Sequence, residues 1–293
     1  MRTRVRLAVP IAALLAAAGA RADESFERSV PAEPGGRLKI EMDGGSIDVE
    51  GHEAEEVRVD ARSSGFAADS VRFELDEDGG RDLRLSIRSS GLMGLFGARV
   101  RLHVRVPTRF SVDLRTGGGD VTVEEVEGEV RARSGGGGVE VNRIVGPVEI
   151  ETSGGRIRAD AVRGELRART SGGSINVADA SGGLDVETSG GPLELRDVSG
   201  PVRARTSGGS IEVRFSGSPE GFVETSGGGI EVEVVRGAGL RLDARTSGGR
   251  VSLDRDFQVR GRVEPSLVEA DLNGGGPRLE LRTSGGHIEV HAR

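Results

Sequence analysis

A short unit recurs along most of the 293-residue chain at a constant spacing, and this repeat limits the folds that the sequence can adopt. Each unit reads apolar-x-apolar, a short polar step, then apolar-x-Gly-x-apolar-x-apolar-x-Thr-Ser-Gly-Gly, as in RTSGGSIEV at 205–213. The residue before the Ser-Gly-Gly or Gly-Gly-Gly step falls every 18 positions at Thr116, Ser134, Thr152, Thr170, Thr188 and Thr206. Similar units follow at Thr225, Thr246 and Thr283. A fixed period of this size indicates stacked structural repeats.

Apolar and polar residues alternate within each unit, which is the pattern of strands with one buried face. In one unit the apolar positions are Val139, Val141, Ile144, Val148 and Ile150, and the next unit repeats them at the same offsets. No segment after residue 22 repeats with the 3.6-residue period of an amphipathic helix. The sequence therefore predicts an all-β fold with two short strands in each unit.

Two β architectures fit this pattern, namely a parallel solenoid and a meander of hairpins that turn at each Gly-Gly. The column of residues just before the Thr or Ser alternates in sign: Arg133, Glu151, Arg169, Glu187, Arg205, Glu224 and Arg245. A solenoid places these opposite charges next to each other, about 4.8 Å apart. Hairpins would instead place Glu187 opposite Glu194 and Glu224 opposite Glu231. The charges therefore favour a parallel β-solenoid of about ten coils with an 18-residue period.

The Gly-Gly pairs and the preceding Thr are predicted to form one corner of each coil. Glycine allows a positive φ, and it also carries no side chain that could collide with the coil above. A Thr at a fixed position in every coil is expected to pass hydrogen bonds along a ladder of like residues.

The chain is predicted to contain four segments. Residues 1–22 form a signal peptide, residues 23–36 an extended entry segment, residues 37–112 a first coil with an N-terminal β cap region, and residues 113–293 the Gly-rich repeats. Solenoid ends expose strand edges, so an atypical terminal region is expected as a cap. The period also breaks within 257–281, and this stretch is expected to close the other end.

The N-terminal segment predicts export of the protein. Basic MRTRVR is followed by apolar LAVPIAALLAAAG and by ARA, a small-x-small cleavage site. No later segment is apolar enough to span a membrane, and the chain contains no cysteine for lipidation or disulfides. Cleavage removes four arginines and changes the formal charge from −7 to −11. An acidic surface repels phosphate backbones, so nucleic acid is excluded as the expected partner.

Motifs for cofactor, metal or catalytic chemistry are not evident in the sequence, and no such site is predicted. The glycines lack the tandem Asp of a calcium-binding β-roll, and Lys39 is the only lysine, so a Walker phosphate loop is excluded. His287 and His291 lie four residues apart in a predicted strand, which is typical of a solvated terminus more often than of a zinc site. Most of the acids in the repeats are assigned to the alternating columns, where they serve as ladder partners.

One apolar stretch is not explained by the repeat. The segment SSGLMGLFGAR at 89–99 places Leu92, Met93, Leu95 and Phe96 in a Gly-bounded loop. If these side chains are exposed, they form a contact patch for a partner. If they are buried, they plug the end of the solenoid. The sequence leaves both alternatives open.

The signal peptide, RLKIEMDGGSIDVEG at 37–51, the junction at 100–128 and the tandem TSGGxIxV units resemble a family of bacterial exported proteins called putative adhesins. The resemblance covers residues 37–293 and implies a Gly-rich β-solenoid domain of unknown function, with no binding residues to transfer. We therefore expect a non-enzymatic protein of the periplasm or cell surface whose repetitive faces bind an envelope polymer or a protein. The alternatives are a glycan-processing β-helix enzyme and a structural, self-assembling spacer.

Overall fold

The computed structural model describes residues 24–65, 71–78, 81–89 and 98–293, and all regular elements in these ranges are β-strands. The predicted all-β fold is therefore confirmed. The predicted signal peptide at 1–22 lies outside the described residues. The chain divides into two compact units, of which the first ends at Gly136 and the second comprises Gly137–Arg293.

The described part of the first unit forms two sheets. Its strands are β1 (Glu24–Pro31), β2 (Arg37–Met42), β3 (Ser46–His52), β4 (Glu56–Gly65), β5 (Val71–Asp78), β6 (Asp82–Ser89), β7 (Ala98–Pro107), β8 (Ser111–Thr116), β9 (Val121–Glu127) and β10 (Val130–Ser134). One sheet has the order β1-β4-β7-β3-β9, and the other has the order β5-β6-β2-β8-β10. Strand β2 pairs in parallel with β6 and β8, and β3 pairs in parallel with β7 and β9.

The region predicted as a cap supplies both a coil and flanking strands. Strands β6 and β7 form a coil that stacks on the β2–β3 coil, whereas β1, β4 and β5 attach in antiparallel fashion. Phe26 of β1 stacks on Phe73 of β5 with ring centroids 5.2 Å apart. This aromatic pair connects the outermost strands of the two sheets.

The second unit also consists of two sheets. Its strands are β11 (Val139–Val145), β12 (Val148–Thr152), β13 (Ile157–Arg163), β14 (Leu166–Thr170), β15 (Ile175–Ser181), β16 (Leu184–Thr188), β17 (Leu193–Val198), β18 (Val202–Thr206), β19 (Ile211–Phe215), β20 (Gly221–Thr225), β21 (Ile230–Val234), β22 (Leu240–Thr246), β23 (Val251–Leu253), β24 (Val259–Glu264), β25 (Leu267–Leu272), β26 (Arg278–Thr283) and β27 (Ile288–Ala292). The first sheet has the order β11-β13-β15-β17-β19-β21-β27-β23, and the second has the order β12-β14-β16-β18-β20-β26-β22-β25-β24.

Parallel stacking at the 18-residue period confirms the predicted solenoid. Strand β12 pairs with β14, β14 with β16, and β16 with β18, each with residue i beside residue i+18. Val148, Ile150, Ile157 and Val162 of one coil are all buried, and equivalent positions are buried in the next coils. Burial of each such aliphatic side chain contributes about 1.5–3 kcal/mol, so the core between the sheets accounts for the strict repeat of these positions.

The coil at 278–292 does not follow the order of the sequence. Strands β26 and β27 lie between β20–β21 and β22–β23, so this coil is intercalated between two earlier ones. The expectation that Glu224 stacks directly on Arg245 is therefore wrong, because Arg282 lies between them. The irregular stretch at 257–281 supplies the antiparallel β24–β25 hairpin, which extends the second sheet beyond β22.

The Thr of each unit forms its hydrogen bonds differently from the prediction. Thr170 Oγ1 donates to the carbonyl oxygen of Gly155 in the preceding coil at 3.0 Å and accepts from the N–H of Gly173 at 3.3 Å. The same pair of bonds is made by Thr152, Thr188, Thr206, Thr225, Thr246 and Thr283. The predicted ladder of like residues is therefore wrong. Each hydroxyl instead joins two glycines, one in its own coil and one in the adjacent coil.

The two glycines of each pair have different roles. A Cβ atom built on Gly173 would lie 1.9 Å from the carbonyl oxygen of Gly155, whereas one built on Gly172 meets no atom within 4 Å. Neither glycine has a left-handed φ. The second glycine of this pair is therefore required by close approach of the adjacent coil. The first glycine faces open space here, whereas in later coils a Cβ at this position, for example on Gly208 or Gly248, would lie 3.3 or 3.0 Å from a backbone oxygen.

Candidate functional site

The four residues predicted as a partner contact, Leu92, Met93, Leu95 and Phe96, lie outside the described residues. Their role as a patch or a plug stays a prediction. The two C-terminal histidines each have separate partners: His287 Nδ1 accepts from the N–H of Arg250 at 3.1 Å, and His291 Nδ1 lies 3.1 Å from Asp254 Oδ1. Within the described ranges, no group of three or more His, Cys, Asp or Glu side chains is arranged to hold a metal ion.

The outer face of the second sheet carries the predicted alternating charges. Glu151, Arg169, Glu187 and Arg205 occupy adjacent register positions, which confirms this part of the column. Arg169 Nε lies 3.5 Å from Glu187 Oε2. These side chains are about half exposed, so each contact contributes only about 0.2–1 kcal/mol.

The regular column gives way to a charged grid where strands β24, β25, β22 and β26 lie side by side. The first row of outward side chains is Arg260, Asp271, Arg241 and Arg278. The second row is Arg262, Glu269, Asp243 and Glu280. Because alternate residues of a strand point to the same face, the two rows stand on either side of the intervening residues.

A depression, here called the charged trough, lies between these two rows. It is lined by Arg241, Asp243, Arg260, Glu269, Asp271 and Arg278 and has a volume of about 320 Å³. Leu242 and Ala270 also line it, but their side chains are buried on the opposite face of the sheet. The floor of the trough is therefore backbone, and its walls are charged side chains.

Ion pairs organise most of the trough. Arg241 Nε lies 3.1 Å from Asp271 Oδ1, and Arg278 Nη2 lies 3.1 Å from Asp243 Oδ2. Arg245 contributes a further pair to Asp243 at 2.8 Å. Burial acts to raise the pKa of Asp243, but the two arginines outweigh it, so its pKa lies below the ordinary value. Asp243 is thus a fixed anion that holds two guanidinium groups in place.

Arg260 differs from the other arginines of the trough. Among the residues that the structure describes, none forms a hydrogen bond or ion pair with its guanidinium group. The trough therefore offers one free guanidinium beside paired arginines and carboxylates. This set of donors and acceptors suits a polar or charged ligand, since guanidinium groups bind carboxylates and phosphates, and carboxylates accept hydrogen bonds from hydroxyls.

The first sheet carries a contrasting column of like charges. Glu194, Glu212, Glu231 and Glu289 occupy successive register positions on its outer face. Like charges directly opposite each other are unfavourable, so this column is a local cost to stability. The part of the chain that the structure describes also contains no helix able to cross a membrane.

The trough could not be located from the sequence. It brings together residues from four strands, and the order of those strands depends on the intercalated coil. One feature of the sequence does bear on the trough: a regular repeat unit at 278–292 follows an irregular stretch. That contrast marks 257–277 as an insertion, but it does not indicate where the following coil stacks.

The family profile described as Toastrack DUF4097 matches residues 36–291. Similar solved structures include a putative adhesin from Bacteroides fragilis (12% identity, 93% of this chain and 99% of that chain covered, TM-score 0.48). Others are a putative adhesin (12%, 91% and 97%, 0.41) and a putative lipid binding protein (13%, 91% and 96%, 0.42), both from Parabacteroides distasonis. No curated protein matched the chain.

Proposed function

We infer, from the premise that this chain belongs to the Toastrack DUF4097 family, that it is an exported, non-enzymatic protein that binds a component of the cell envelope. The membership confirms the resemblance indicated by the tandem Gly-rich units, and the family is one of unknown function. The proposed partner is an envelope polymer or an envelope protein, recognised through the outer face of the β-solenoid.

The charged trough carries this proposal. The interior between the sheets is aliphatic and closely packed, so the polar chemistry of the second unit lies on its outer faces. In the trough, a depression on these faces coincides with ion-paired guanidinium and carboxylate groups. Ion pairs hold these groups in position before a ligand arrives, which lowers the entropic cost of binding.

Export is supported by the N-terminal sequence. The basic, apolar and small-residue segments of 1–22 have the order of a secretory signal peptide. The cysteine-free chain requires no oxidative step to fold after export.

The test is co-sedimentation of the purified protein with isolated cell envelope fractions across a salt series. The informative variant is Arg241→Gln combined with Asp271→Asn, which removes both partners of a trough ion pair, so that neither partner is left without the other. Its matched control is Arg163→Gln with Asp179→Asn, an exposed pair of similar length (2.9 Å) outside the trough. Both double variants keep the net charge of the parent.

We expect saturable, salt-sensitive binding to one envelope fraction, weakened by the trough variant and unchanged by the control. Salt sensitivity follows from screening of exposed charges. Binding that both double variants weaken equally would place the contact elsewhere on the protein. Absence of binding to any fraction would contradict the proposed function and direct attention to activity on envelope glycans.

A further inference from the structure

The outermost strands of the sheets are β1, β5, β23 and β24. Among the described residues, β24 has β25 as its one partner strand, and β5 has β6. All six residues of β24 are exposed. Val259 and Val263, which are 43% and 55% exposed, make up half of the exposed large apolar residues in the described ranges. An exposed edge with apolar residues is a template for another strand.

At the free edges of both β24 and β5, the backbone N–H and C=O groups that point outward belong to odd-numbered residues. Directly before β24, the carbonyl of Gln258 accepts from the N–H of Asn273, which follows β25. Backbone groups of alternate residues point to opposite edges, so the even-numbered residues of β24 face β25 and the odd-numbered ones face the open side.

The same reasoning applies to β5. The carbonyls of Arg81 and Ile87 accept from β2, so odd-numbered residues of the β6 segment face β2 and even-numbered ones face β5. Because Glu74 of β5 lies opposite Ser86, the even-numbered residues of β5 face β6. The odd-numbered residues of β5 therefore face its open side, as they do in β24.

We propose that β24 of one copy pairs in antiparallel register with β5 of a second copy. The register places three charged residues of β24 opposite three of β5 on the outer face: Arg260 opposite Asp76, Arg262 opposite Glu74, and Glu264 opposite Arg72. All three pairs are of opposite charge. They fall at the non-hydrogen-bonded positions, where opposite side chains are closest.

The inner face and the backbone agree with the same register. The hydrogen-bonded positions are then odd-numbered on both strands, as their open edges require. Gly261 lies opposite Leu75 and provides space for it, and Val263 lies opposite Phe73, so that an exposed valine gains an aromatic neighbour. Val259 lies opposite Glu77, which is the one unfavourable match.

Other registers lose this agreement. A shift by two residues in one direction places Arg262 opposite Arg72, and a shift in the other direction places Glu264 opposite Glu74. Antiparallel pairing of β24 with a second β24 in the two registers nearest full overlap that suit its open edge places Arg262 opposite Arg260 or opposite Arg262. The corresponding registers of β5 with a second β5 place Glu74 opposite Glu74 or opposite Asp76, so each pairing of like strands keeps a repulsive contact. The charges therefore favour a heterologous contact, in which β24 of one copy pairs with β5 of another, over pairing of two like strands.

This contact goes beyond the proposed envelope binding, because it makes the protein a partner for itself. Each copy offers one strand of each kind, so each can bind two neighbours. Heterologous contacts of this type build rings or open chains. The association is expected to be weak and salt-sensitive, since it depends on one strand pair and three exposed ion pairs.

The experiment measures self-association of the purified protein by sedimentation velocity over about a hundredfold range of concentration, at low and high salt. The test variants are Arg262→Glu and Glu74→Arg, each of which converts an attractive pair into a repulsive one. The matched control is Arg255→Glu, the same charge change in the exposed loop before β24. Circular dichroism checks that each variant is folded.

We expect concentration-dependent association of the parent that each test variant weakens about tenfold and the control does not. An equimolar mixture of the two test variants should recover most of the association of the parent, because each contact between unlike variants again joins opposite charges at positions 262 and 74. A parent that remains monomeric throughout, or test variants that associate like the control, would overturn the proposal. The proposed function fails separately, in the envelope binding assay.

Discussion

The corner of each coil provides the sharpest test of the stacking geometry. In Gly173→Ala, the new Cβ atom would lie 1.9 Å from the carbonyl oxygen of Gly155, where an ordinary contact needs about 3.5 Å. The adjacent coils would have to separate locally by about 1.5 Å in a stack with a spacing of about 4.8 Å. The backbones of Gly155 and Gly173 are both held by hydrogen bonds to Thr170, so we expect a loss at the upper end of overpacking costs, about 3 kcal/mol.

The neighbouring glycine is the matched control. Gly172→Ala adds the same methyl group where no atom lies within 4 Å, and it should leave stability unchanged or raise it by about 0.4–1 kcal/mol through the unfolded state. For a unit the size of Gly137–Arg293, a loss of 3 kcal/mol lowers Tm by about 6–12 °C. Thermal unfolding followed by circular dichroism measures both variants. If the two alanine variants melt together, the close approach of the coils is refuted.

Three further predictions concern polar groups. Thr170→Val removes a hydroxyl that joins two glycines, and loss of these hydrogen bonds should cost about 1–3 kcal/mol in urea unfolding, whereas Thr170→Ser should retain most of the stability. Glu187→Arg places three arginines in succession on half-exposed positions, which should cost about 1 kcal/mol at low salt and less at high salt; equal melting at low salt would contradict the column. Burial lowers the pKa of His291, but neighbouring carboxylates, chiefly Asp254, outweigh it and raise the pKa above 6.5. The protonated ring therefore stabilises the fold fully below pH 6.5, and this contribution is lost as pH rises through the raised pKa, so Tm should fall less across this range in His291→Gln.

The repeat period made most of the solenoid predictable. Inward residues such as Val148 and Leu166 recur every 18 positions because each stacks on its equivalent in the next coil. Charge signs added information that apolar periodicity lacks, since they separated parallel stacking from hairpins. The register of Glu187 between Arg169 and Arg205 followed from this reasoning.

The order of the last coils was beyond the same reasoning. Arg282 and Arg245 carry the same charge and follow the same pattern, so either could stack on Glu224. The sequence pattern of a repeat predicts the strands of its own coil. It does not predict which coil stacks on it when two later coils have the same pattern. The trough was missed for this reason, since Arg241, Asp271 and Arg278 become neighbours only in the observed order.

The intercalated coil at 278–292 has a consequence for biosynthesis. A solenoid whose coils follow the order of the sequence can add each coil to the finished stack as the ribosome produces it. Here the coil at 240–253 reaches its final neighbours only after residue 292 has been made, because the later coil must first dock on β20 and β21. In the nascent chain, β22 and β23 therefore cannot pair with β26 and β27, and the segment from β22 to β25 is not yet in its final position in the stack, until synthesis has passed these later strands. Completion of the second unit therefore waits for residues 278–292, and a chain released before residue 278 would leave the edges of β20 and β21 without their native partners.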